Sequence, residues 1–130
     1  MTRRRRILVV ASVLVVALIA AAFVWVYEPT RTEIRWLLVS REYKARVMAQ
    51  AEPANGELKH TEWDMSGMVG METAMYLVYD PADSLAAAAS SGQAGKFAGI
   101  PCKVPKVKRM ERGWYLVTAY TAQYWGVCGP

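Results

Sequence analysis

The chain opens on a basic cluster, Arg3 to Arg6, and then loses polarity almost completely. From Ile7 to Tyr27 every residue except Ser12 is apolar, 20 of 21. A hydrocarbon core of about 30 Å is crossed by roughly 20 helical residues, so residues 7–27 are predicted to pass through a lipid bilayer. The ends of the segment agree. Trp25 and Tyr27 are residue types that favour the headgroup level, and Glu28-Pro29 stops the apolar run. The arginines of the 1–6 flank precede the span, and positive charge is retained on the cytoplasmic side, so everything after Tyr27 is expected outside. A cleaved signal peptide is the competing reading, because Ala20-Ala21-Ala22 follows the 13-residue stretch from Ile7 to Ile19 and offers a cleavage site. The full length of the segment favours an uncleaved signal-anchor. Both readings export the rest of the chain.

Residues 28–51 are predicted to form a juxtamembrane helix, since Thr30 to Gln50 holds neither Gly nor Pro. Thr30 or Thr32 is the expected cap, with Glu33 in the first turn. Two apolar stripes run along it: Ile34, Leu37, Leu38, Ala45 and Met48 on one side, Trp36, Val39, Tyr43 and Val47 on the other. Arg31, Arg35, Arg41, Lys44 and Arg46 lie among them. A helix this broad in apolar coverage either packs on a domain or lies near a lipid surface.

Residues 52–55 read as a linker and 56–130 as a small domain. Leu58 to Met65 alternates as a strand. Thr73 to Tyr79 is apolar on both faces, which predicts a central strand. Asp80-Pro81-Ala82-Asp83 reads as a helix start with Asp80 as cap, and Gly92 as its end. Val104 to Met110 and Trp114 to Tyr120 flank Glu111-Arg112-Gly113 and predict a hairpin. The expected class is therefore α+β: a transmembrane helix, a juxtamembrane helix, and an antiparallel sheet of about four strands with one short helix.

Composition enters only once it is divided. The 130 residues are 54% hydrophobic with a net charge of +5, but residues 1–27 carry +4, residues 28–51 carry +2, and residues 52–130 carry seven basic against eight acidic groups. The domain is nearly neutral. The basic isoelectric point is thus no sign of nucleic-acid binding.

Cys102 and Cys128 both fall on the exported side, where a pair is expected to be bridged. His60, Glu62 and Asp64 share one face of an alternating strand and could hold a divalent metal, although a wet face of an edge strand gives the same pattern. Met65, Met68, Met71 and Met75 could bind Cu(I) through their thioethers, and packing explains the same run. Ser66 lacks a nucleophile-elbow context and no Gly-rich phosphate cradle is present, so neither catalytic residues nor a cofactor are assigned. Lys103, Lys106, Lys108, Arg109 and Arg112 are five cations in ten residues. They either guard an edge strand or meet a protein or acidic envelope partner.

The runs Gly56 to Asp64, Tyr76 to Leu85, Gly95-Lys96 with Gly99-Ile100-Pro101-Cys102, and Arg109-Met110-Glu111 with Trp114-Tyr115 and Tyr120-Thr121 together resemble a group of uncharacterised proteobacterial proteins with an N-terminal hydrophobic segment. The resemblance covers about residues 40 to 128. It implies a Gram-negative inner membrane and a periplasmic domain, and it carries no activity and no catalytic residues. That family tends to have Trp and Gly where this chain has Met65 to Met71, which weakens the copper reading. The expected function is a membrane-tethered periplasmic interaction domain without catalysis, with the bilayer met through residues 7–27. Alternatives are an immunity protein against a periplasmic toxin and a metal-dependent envelope enzyme using His60, Glu62 and Asp64.

Overall fold

A computed structural model of the chain describes residues 2–66, 73–120 and 125–128. The fold is α+β and falls into two units, Met1–Ser40 and Arg41–Pro130.

The first unit holds helix α1, Arg3–Val26, and the beginning of helix α2, Glu28–Met48. No residue of α1 is buried, and the helix is long and apolar enough to cross a membrane. Ser12 satisfies its hydroxyl on the Leu8 carbonyl one turn back, at 2.9 Å, and so adds no unpaired polar group to the apolar surface. Only Tyr27 separates the two helices. Its φ of −89° and ψ of 95° interrupt the helical path. The expected cap at Thr30 or Thr32 is displaced, because α2 already begins at Glu28. Pro29 sits in the first turn, where a missing N–H costs nothing.

The second unit takes in the end of α2 from Arg41 and therefore starts well before Gly56. After a 3₁₀ turn at Ala54–Gly56 come strand β1, Lys59–Ser66, strand β2, Thr73–Tyr79, helix α3, Ala86–Ser91, and the hairpin of β3, Lys106–Glu111, with β4, Trp114–Thr118. The sheet is antiparallel throughout, in the order β1-β2-β4-β3. β2 is central, as its two apolar faces predict.

Each face of the sheet has its own cover. Ala74, Tyr76, Val78, Val107, Tyr115 and Val117 pack with Leu85, which caps α3, with Ala88 of α3, and with Ile100 and Val104 of the segment before β3. On the other face Leu77 and Leu116 are fully buried, Tyr43 packs on Trp63 with ring centroids 4.8 Å apart, and Val47 of α2 has no exposed surface. At the end of α2, the side that carries Tyr43 and Val47 is thus the inward one.

The start of α3 departs from the sequence expectation. Asp80-Pro81 opens a turn, with Asp83 N–H donating to the Asp80 carbonyl at 3.0 Å, and the helix begins only at Ala86. The cause is Asp83, held at φ 54°, a left-handed conformation incompatible with a continuing helix. Gly92, at φ 64°, ends α3 as expected.

Candidate functional site

Three groupings of polar and aromatic side chains organise the second unit. The first is centred on Asp83. Its Oδ1 accepts the Gly113 N–H at 3.1 Å and the Tyr115 hydroxyl, and its Oδ2 accepts from Arg109 at 2.7 Å. The Tyr115 hydroxyl bond is the main cause that lowers the Asp83 pKa, followed by the Gly113 amide. Burial and the Asp83 carboxylate push Tyr115 up to about 12. Next to it Asp80 is buried, and its Oδ2 accepts from Ser84 Oγ at 2.8 Å and from the Leu85 amide at 2.9 Å. The Asp80 amide in turn donates to the Gly113 carbonyl. These bonds tie the β2–α3 turn to the β3–β4 turn. Gly113 belongs there because its φ is 78° and a Cβ would stand 3.3 Å from the Asp80 carbonyl oxygen.

The second grouping fastens the C-terminal segment. Trp125 stacks on His60 with centroids 3.7 Å apart and planes at 18°, and meets Tyr76 edge-on at 5.4 Å. Its amide donates to Tyr76 Oη and its indole N–H to Glu57 Oε2 at 3.2 Å. Cys102 and Cys128 are joined by a disulfide, Cα to Cα 5.3 Å, with Cys102 buried. The bridge expected from the sequence is present. Partial burial lowers the His60 pKa and outweighs the Leu58 carbonyl and the Glu57 charge, which raise it.

The row His60, Glu62, Asp64 is not a row. His60 and Glu62 pair with Val78 and Tyr76, but a bulge follows Glu62 and Asp64 pairs with Met75. The extra residue, Trp63, shifts the alternation, so Asp64 lies on the opposite face. Nor is His60 on a wet face, since its ring is the stacking platform for Trp125. Among the described residues no three His, Cys, Asp or Glu side chains gather closely enough to hold a metal ion. The methionine run separates likewise. Met65 pairs with Ala74, which puts it on the face opposite Met75, and it is exposed rather than in the core. Met68 and Met71 lie outside the described residues.

The third grouping is the basic segment. β3 is an edge strand, so its lysines stand where an unpaired edge must be guarded. The five cations have different surroundings. Arg109 is engaged by Asp83, Lys108 is half-buried, and Lys103, Lys106 and Arg112 are exposed. Lys44 of α2 pairs with Glu111 and lies 5.7 Å from the Trp114 ring centroid, so the acidic end of β3 serves the helix. The Asp83 centre and the His60–Trp125 stack were not expected. Asp-Pro-Ala-Asp does signal a turn, but nothing in its spacing indicates that Asp83 reaches a tyrosine 32 residues on. Comparison of the chain with protein-family models, curated proteins and solved structures finds no match.

Proposed function

We propose that the protein is a membrane-tethered interaction domain, held by α1 in the inner membrane with residues 41–130 in the periplasm, and that it works by binding and not by catalysis. The observation that carries the reading is the combination of an apolar helix with no buried residue behind Arg3 to Arg6 with a disulfide in the unit that follows. The helix suits a bilayer, and the positive flank favours a cytoplasmic N-terminus. A bridged cysteine pair suits an oxidising compartment on the far side. The polar groups with shifted pKa values have structural occupations: Asp83 holds two turns together and His60 supports Trp125.

The binding surface that best fits this reading is the exposed part of the basic segment, Lys103, Lys106 and Arg112, at the β3 edge and its turn. An acidic protein or envelope polymer is its complement. Arg109 is left out, because reversing its charge would disturb the Asp83 centre. The test is capture of envelope components on the immobilised full chain, compared with a Lys106→Glu/Arg112→Glu variant of equal stability. Capture that is lost in the variant and weakens with added salt supports the proposal. Capture indifferent to both removes this surface from it.

A further inference from the structure

The two stripes of α2 have opposite fates. Trp36 and Val47 are buried, whereas Ile34, Leu37 and Leu38 are 38%, 82% and 76% exposed. A single exposed leucine is unremarkable, but these three occupy one helical face at i, i+3 and i+4. Arg31 and Arg35 lie along one border of that face.

Distance from the membrane decides what can cover the stripe. Trp25 and Tyr27, 76% and 50% exposed, end the apolar helix with the residue types of the headgroup level. Leu37 is ten residues beyond Tyr27, a rise of about 15 Å along a helix. If α2 rose along the membrane normal, both leucines would stand that far out in water. If it turns at Tyr27 into the membrane plane, they reach the boundary between headgroups and acyl chains. Arg31 and Arg35 can then lay their aliphatic stems on the same boundary and present guanidinium groups to lipid phosphates.

We infer that α2 from Glu28 to Ser40 lies in the plane of the bilayer, with Ile34, Leu37 and Leu38 in lipid and Arg31 and Arg35 on anionic phospholipid. The inference rests on the reading of α1 as a span. The break at Tyr27 is the bend this arrangement needs, and Trp36, buried and on the other side of the helix from Leu37 and Leu38, faces away from the lipid.

The test uses the full chain in vesicles of phosphatidylcholine and phosphatidylglycerol. Both native cysteines are bonded, so a nitroxide can be attached to single cysteines at Leu37→Cys and Leu38→Cys, with Leu14→Cys and Ser90→Cys as references within the span and on exposed α3. Collision with oxygen reports lipid, and collision with a water-soluble nickel chelate reports water. The expected oxygen-to-nickel ratio at Leu37→Cys and Leu38→Cys is several-fold above that at Ser90→Cys and falls when Arg31→Gln/Arg35→Gln is added. A ratio equal to that of Ser90→Cys, with Leu14→Cys still in lipid, overturns the inference. Spin–spin broadening at Leu37→Cys or Leu38→Cys also overturns it, because a second copy would then cover the stripe. A nickel-accessible Leu14→Cys overturns the span reading, and the inference with it.

Discussion

Asp83 gives up helical geometry to become a junction, and its acid titration reports that role. Because its folded-state pKa is lowered, it adds stability that is present above about pH 4 and is lost as pH falls through the lower folded value. Tyr115→Phe removes the largest cause of that shift. We expect the variant to unfold at lower denaturant concentration near neutral pH and to lose less than the wild type between about pH 5 and pH 2, measured as midpoints across that range. An unchanged acid limb would mean that the hydroxyl bond does not set the Asp83 pKa. His60 behaves in the same sense at a higher pH. Its lowered pKa means that the unfolded chain takes up a proton below about pH 6.5 that the folded chain resists, so stability is full above that pH and falls as pH drops through the folded value. His60→Gln should flatten this step and, at pH 8, should cost about 1 to 2 kcal/mol through loss of the Trp125 stack. A cost near zero would return His60 to the solvated face that plain strand alternation assigns it.

At the scale of elements, β2 and the β3–β4 hairpin were legible because their patterns are local: two apolar faces in one case, a Gly-containing turn between β-formers in the other. β1 was legible as a strand but not in its faces. A bulge is an event between two strands, and no single strand's alternation records the extra residue at Trp63. The end of α2 was half legible. Its second stripe is visible in the sequence, but that Tyr43 and Val47 complete the second unit depends on what Trp63, Leu77 and Leu116 leave uncovered. Hence a fragment of residues 41–130 should unfold cooperatively in denaturant, and one of residues 56–130 should be less stable by about 2 to 4 kcal/mol, since it exposes the face that Val47 and Tyr43 cover. Equal midpoints for the two would make the end of α2 an accessory. The disulfide is also an element-scale device, because it holds Trp125 against His60 and Tyr76. Cys102→Ser and Cys128→Ser should each cost about 2 to 5 kcal/mol, and the double variant no more than either, because each opens the same loop. Calorimetry of the oxidised domain and the three variants checks this, and additive losses would contradict it.

For the whole molecule, the fold class followed from the sequence alone, because each element's signal is local. The arrangement of polar groups did not, because it depends on contacts across long separations such as Asp83 to Tyr115 and Glu57 to Trp125. The functional account rests on topology: an uncleaved α1 in the membrane and a bridged domain beyond it. Intact-mass spectrometry of the chain from the membrane fraction, alkylated with a maleimide in denaturant without reductant, reads both at once. The account predicts a single species that keeps Thr2, with or without Met1, and carries no maleimide. A chain beginning at Phe23, or a full-length chain carrying two maleimides, would contradict it.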